Sequence, residues 1–207
     1  GARVCVGELS LAAIEAELVQ HGIAMATTTE SSSLFARAIG PVFDSLPEPI
    51  RALHETTGRS VWRGTASVEG AANLVAGLIA RVFGFPQDGE GVSVDVCIEA
   101  ERDQSVWRRN IGASRFLSRL SSPKPGGRVV ESFGPLDFDI VLRPEEGRLI
   151  YGVEGWRMLG FPMPKAWAPT TATHEQIDAE GRFSFDVEIG LPVVGRMVRY
   201  RGWLERG

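Results

Sequence analysis

From Val92 onward the chain alternates. Val92, Val94, Val96 and Ile98 interleave with Ser93, Asp95, Cys97 and Glu99, a period of two that places the apolar set on one face of an extended strand. Similar alternation runs through 104–111, 115–121, 128–133, 136–143 and 147–154, and beyond a proline-rich stretch through 173–178, 182–189 and 196–204. Gly126-Gly127, Gly134-Pro135, Glu146-Gly147 and Glu180-Gly181 mark turns between neighbouring runs, and residues 61–68 read as a further strand. The pattern predicts a large antiparallel meander with one apolar face. Phe138, Ile140, Leu142, Phe183, Phe185 and Val187 belong to its core. Asp137, Asp139, Ser184 and Asp186 face outward or towards turns.

Helical spacing dominates the first part of the chain. Leu11, Ile14 and Leu18 follow a capping Ser10 until Gly22, and the polar stretch 27–32 reads as a linker. Ser33 caps a second helix carrying Leu34, Phe35, Ala38 and Ile39, stopped near Gly40-Pro41. A proline-led helix begins around Leu46–Leu53, and Leu74, Val75, Leu78, Ile79, Val82 and Phe83 form an amphipathic stripe closed by Gly84 and Pro86. A helix with a matching stripe is expected to pack across the apolar face of the sheet. The expected architecture is therefore α+β, a large curved antiparallel sheet or partial barrel packed on helices and enclosing a cavity. Residues 1–30 are expected to be a separate appendage and linker, and 33–205 a single β-rich domain.

Composition narrows the function classes. The 207 residues are 43% hydrophobic and 23% charged, an ordinary globular balance. A net charge of −4, with acids and bases mixed along the chain, argues against nucleic acid as a partner. No apolar run approaches the length of a membrane span. Cys5 and Cys97 are read as two reduced thiols. The first residues carry neither a charged leader nor a long apolar segment, and the expected location is the cytoplasm. The missing initiator methionine is expected to reflect processing, a tag remnant or excision from something longer.

Candidate chemistry centres on Glu131. It shares a strand face with Val129 and Phe133, where a carboxylate must be paired, protonated or turned towards a cavity. Arg109 is the matching oddity, a guanidinium in phase with Trp107 and Ile111. The two are expected to meet on the concave face, either as a structural ion pair or as a site in which Glu131 serves as ligand anchor or general acid/base. Glu175, in phase with Ile177, is a weaker inward candidate. His54, at the end of a short helix, is read as a helix-dipole contact, His174 as a surface residue and His21 as a helix-end residue. Metal ligation is not expected from any of the three. The segment Gly160–Pro169 reads as a core-capping loop or as a lid whose Met163 and Trp167 touch ligand. Repeated Trp-Arg neighbours, including Tyr200 between Arg199 and Arg201, read as packing more readily than as base stacking. There is no dinucleotide fingerprint, Walker loop, nucleophile elbow or zinc motif, and no cofactor is expected.

Several short motifs recur in order over most of the chain. They are Leu46-Pro47 with Leu53-His54, Trp107-x-Arg109, Arg115-Phe116-x-Ser118 and Glu131-x-Phe133-Gly134-Pro135. They continue with Leu159-Gly160-x-Pro162-x-Pro164, Phe183-x-Phe185-Asp186-Val187 and Tyr200-x-Gly202-x-Leu204. On these the chain resembles the bacterial family known as domain of unknown function 4166. The segment Asn110-Ile111-Gly112 departs from it where an aromatic residue is expected. The resemblance implies a domain often placed behind a saccharopine-dehydrogenase-like or epimerase-like reductase, and residues 1–30 look similar to the tail of such a reductase. It implies no reaction. The leading expectation is a module that binds a hydrophobic or amphipathic small molecule in an internal cavity, with an accessory role to a fused or neighbouring NAD(P)-dependent reductase as a further expectation. Ligand contacts are expected from Glu131, Arg109, Trp107, Met163, Trp167 and Tyr200. The rivals are an isomerase or cyclase using Glu131 as acid/base, and a structural or dimerisation domain without ligand.

Overall fold

A computed structural model describes residues 33–207. The helix expected over 11–22, the linker, Cys5 and His21 lie outside the described residues. Ser33 accepts a hydrogen bond from the Ala36 N–H through its Oγ at 3.2 Å and so starts α1 (Leu34–Ile39). A 3₁₀ turn, Gly40–Ser45, leads to α2 (Glu48–His54), with Pro47 and Pro49 at the start, where a missing N–H costs nothing. The strands follow as β1 (Gly58–Glu69), then α3 (Leu74–Val82), β2 (Gly89–Ala100), β3 (Gln104–Ile111), β4 (Ser114–Lys124) and β5 (Arg128–Phe133). After them come β6 (Leu136–Glu145), β7 (Arg148–Met158), the two-residue β8 (Phe161–Pro162) and β9 (Thr170–Thr171), β10 (Thr173–Ile177), β11 (Phe183–Leu191) and β12 (Gly195–Arg206).

Ten of these strands form an antiparallel ring, closed between β12 and β1. β10 supplies the link between β7 and β11, with Thr173 opposite Tyr151, Glu175 opposite Leu149 and again Glu175 opposite Phe185. The fold is mostly β, and the expected curved sheet or partial barrel is in fact a closed barrel. Closure removes the open edges that a curved sheet would leave unpaired. Register across the ring keeps the inward residues in phase. Trp62 faces Val96, Ile98 faces Trp107, Glu131 faces Phe138 and Phe185 faces Gly202. At the closing seam two glycines are required sterically. A Cβ on Gly64 would lie 1.8 Å from the Trp203 carbonyl oxygen, and one on Gly202 would lie 2.0 Å from that of Thr65.

The helices sit differently from one another. α1 and α2 cover the barrel end that carries the β2–β3, β4–β5 and β6–β7 turns. Gly127 N–H donates to the Ala38 carbonyl at 2.7 Å, and Arg37 reaches the Arg102 carbonyl and Asp103. Leu34, Phe35, Ala38, Ile50 and Leu53 are buried in one core with the inward strand residues. α3 lies at the far end, capped by the Asn73 side chain and held by Ala76 and Ala80 against Met197. Its stripe does not enter the core: Leu74, Val75, Leu78, Val82 and Phe83 are exposed. The sheet's apolar face is already enclosed, so only the side of this helix bearing Ala76, Ile79 and Ala80 finds a surface to approach. Of the predicted core positions Ile140, Leu142, Phe183 and Phe185 are buried, while Phe138 and Val187 are half-buried against the same core. The outer wall carries cross-strand ion pairs, among them Arg63–Asp95, Arg108–Glu99, Arg157–Asp139 and Arg199–Asp186.

Candidate functional site

Two polar groups of residues occupy the inside of the barrel. β3 aims Arg109 inward beside Trp107, and β5 aims Glu131 inward two strands away. The guanidinium crosses the intervening strand β4, whose buried Ser118 accepts a hydrogen bond from Nη1 at 2.7 Å. Both Nη atoms lie 3.4 Å from the same Glu131 oxygen, Oε1, and the guanidinium carbon stands 4.7 Å from the Trp107 ring centre. Trp107 is in turn fixed by its indole N–H, which donates to Ser105 Oγ at 3.0 Å. Arg109 and Glu131 thus meet on the concave face. The side chains keep 21% and 13% of their surface accessible, which a solid core would not allow.

The second group is built around Glu175 on β10. His54, brought in by the last turn of α2, places Nε2 2.6 Å from Glu175 Oε2, and the Tyr151 hydroxyl on β7 donates to Oε1 at 2.9 Å. His54 packs its ring against Phe35 at 3.9 Å between centres, and its Nδ1 is buried without a partner among the described residues. The helix-dipole reading of His54 is therefore corrected: a carboxylate from a strand more than a hundred residues away holds it. Burial first, then the charge and hydrogen bond of Glu175, push Tyr151 well above the ordinary tyrosine range. Glu131 adds to that rise and Arg109 opposes it.

Tyr151 thus senses both groups, while Tyr200 on β12 senses the first. Burial raises its hydroxyl to about 12, with Arg109 lowering it and Glu131 raising it. Among the described residues its hydroxyl makes no hydrogen bond, and Glu131 Oε2 likewise is not bonded to protein. Tyr151, Tyr200, Phe116, Phe138 and Val187 all point inward, yet each retains accessible surface. Accessible surface deep inside a ring of ten strands is what a lumen produces, since eight strands already suffice to fill a barrel with side chains.

Of the expected contact residues, Glu131, Arg109, Trp107 and Tyr200 share this interior. Met163 is half-buried in the segment after β8, its N–H bonded to the Trp156 carbonyl, and Trp167 is 62% exposed at the far end of the barrel. His54 and Tyr151 went unforeseen as site residues. The signal for both was phase: His54 extends the apolar face of Ile50 and Leu53, and Tyr151 alternates with Leu149 and Val153. Among the described residues no group of His, Cys, Asp and Glu forms a metal site. A concavity of about 380 Å³ on the outer wall, lined in part by Arg128, Asp139, Glu154 and Arg157, is a different kind of place. Its charges are paired as Arg128–Glu154 and Arg157–Asp139, so it offers less unused hydrogen-bonding capacity than the interior.

Fold and interior together define an up-and-down β-barrel with a polar cluster among the apolar side chains of its inward face. Residues 46–204 match the model of the family described as a domain of unknown function (DUF4166), and the chain belongs to that family. No curated protein is detectably similar to it. Among solved structures, the chain is similar to the apo crystal structure of Caenorhabditis elegans lipid binding protein 8 (LBP-8), with a TM-score of 0.39 and 11% identity over 73% of this chain and 94% of that one.

Proposed function

We propose that the barrel binds a hydrophobic small molecule in its lumen, with a polar head placed against Glu131, Arg109 and Tyr200. The observation that carries the reading is the accessible surface retained by inward-facing Glu131, Arg109, Tyr151 and Tyr200 within an otherwise apolar interior. Glu131 Oε2 can accept a hydrogen bond and the Tyr200 hydroxyl can give or accept one, a pattern that suits a hydroxyl or carbonyl. An ionised head suits the lumen less well. Arg109 is already engaged by Glu131, so a carboxylate or phosphate would enter without a free counter-charge. The proposal extends to a fused or neighbouring reductase, for which the barrel would hold an apolar substrate.

The direct test is native mass spectrometry of the purified chain for a retained molecule, followed by displacement of a fluorescent sterol and of a fluorescent fatty acid. The neutral alcohol is expected to bind and the fatty acid to bind far less. Tyr200→Phe removes a hydroxyl without a protein partner, so stability should stay within about 0.5 kcal/mol. Affinity for the alcohol should fall roughly fivefold, the worth of one ordinary hydrogen bond. Equal affinity for both probes would remove the neutral-head reading, and binding of neither would remove the lumen reading. Conversion of a retained molecule that stops in Glu131→Gln would instead favour the acid–base role.

A further inference from the structure

Exposed apolar side chains are normally scattered singly over a protein surface. Here, among the described residues, ten of the thirteen large ones lie at the far end of the barrel: four on α3, Phe83 at its C-cap, four between Met158 and Trp167, and Val193 on the β11–β12 turn. Two of them tip separate turns in a backbone conformation that favours glycine. Leu159, at φ 51°, is 73% exposed, and Val193, at φ 67°, is fully exposed. Apolar residues held out in this way gain nothing from the fold itself, which points to a surface they meet.

Charge identifies that surface. Arg81, Arg115 and Lys165 stand exposed at the same end, and none is ion-paired among the described residues. Three of the five carboxylates near them are ion-paired. Glu69 is bound by Arg196 and Arg201, and Asp137 and Asp139 by Arg157, whereas Asp88 and Glu90 accept only from neutral donors, the Gly70 N–H and Ser67, and keep their charge. The six cations and five carboxylates named here leave the far end at about +1, although the whole chain is net −4. We propose that the far end of the barrel, formed by α3, the 158–167 segment and the β11–β12 turn, docks on the surface of an anionic lipid bilayer. An exposed apolar helix stripe flanked by apolar loop tips suits the interfacial layer of a bilayer, where such a helix lies in the plane of the surface. The ion pairs of the outer wall keep the strands themselves out of the hydrocarbon, so docking is end-on and shallow. The inference rests on surface side chains and stands apart from the lumen reading.

The test is co-sedimentation of the full chain with vesicles of phosphatidylcholine, with and without phosphatidylserine. Binding is expected only with phosphatidylserine present and should be released by salt. The double variant Leu78→Asp with Val82→Asp should abolish it while leaving circular dichroism and Tm unchanged. Arg81→Gln and Lys165→Gln should each weaken it roughly fivefold. A blue shift of tryptophan emission on vesicle addition should disappear in Trp167→Phe. No sedimentation with either vesicle, or equal sedimentation with both, overturns the proposal. So does concentration-dependent self-association lost in the double variant, which would make a second copy the occupant. Sterol uptake measured without vesicles reports on the lumen alone and separates the two proposals.

Discussion

Tyr151 and Tyr200 are the only tyrosines in the chain, and both stand in the barrel interior. This makes the interior readable by titration. A tyrosine whose folded pKa is raised contributes stability that is complete below its unfolded value, near 10, and is lost as pH climbs towards the folded value. For Tyr200 that folded value is about 12, and Tyr151 moves in the same direction. Tyrosinate absorbance should therefore stay flat through the pH at which a free tyrosine ionises and rise only as the fold gives way. Ionisation near 10 with the near-ultraviolet dichroism intact would mean that both rings face bulk water. Glu131 offers the complementary experiment. Glu131→Gln leaves the largely enclosed Arg109 without a counter-charge, and the expected loss is roughly 2 kcal/mol in urea unfolding. Unchanged stability would assign the carboxylate to the ligand alone.

Strands and helices differed in how plainly the sequence announced them. The alternating runs became strands with their inward phase intact, because a period of two is a local property and survives whatever surrounds it. Glu131 and Arg109 were found by the same logic, as charges out of place in a phase. α3 shows the limit. Its spacing gave a stripe, but a stripe does not say what it meets, and the enclosed sheet left Leu74 and Leu78 outside. The site was half legible for a related reason: the partners of His54 lie on β7 and β10, and only tertiary register brings them together. Between β11 and β12, Arg199 holds Asp186 with two hydrogen bonds, at 2.9 and 2.7 Å, and these lower its carboxyl below the usual range. A lowered pKa means stability present above the unfolded value, near 4, and lost as pH falls through the folded one. Asp186→Asn should cost about 1 kcal/mol at neutral pH. Its Tm should converge on that of the parent chain as the medium is acidified through the carboxylate range. A gap that persists unchanged in acid would show that the cost is not electrostatic.

Closure belongs to the whole molecule, and that is why the alternation could not disclose it. A short strand, β10, completes the ring, and two glycines let the seam approach as closely as it does. Gly202→Ala should force β1 and β12 apart and cost roughly 3 kcal/mol, since the added methyl meets backbone rather than a side chain that can turn away. Gly77→Ala on α3 is the control. There the methyl finds ordinary contact with Ala71, and stability should rise by about 0.5–1 kcal/mol. Equal effects of the two changes in denaturant titration would show that the seam is not tight.

The same seam sets an order of events in time. β1 is made early and its partner β12 last among the strands, so the first strand cannot find one of its two neighbours until the others have been synthesised. Such long-range pairing makes a domain slow to fold and leaves an unpaired edge exposed meanwhile. While the chain is being made, the barrel is an open sheet with Trp62, Ala66 and Val68 uncovered along that edge, and the period in which it most needs a chaperone is the interval between those two strands.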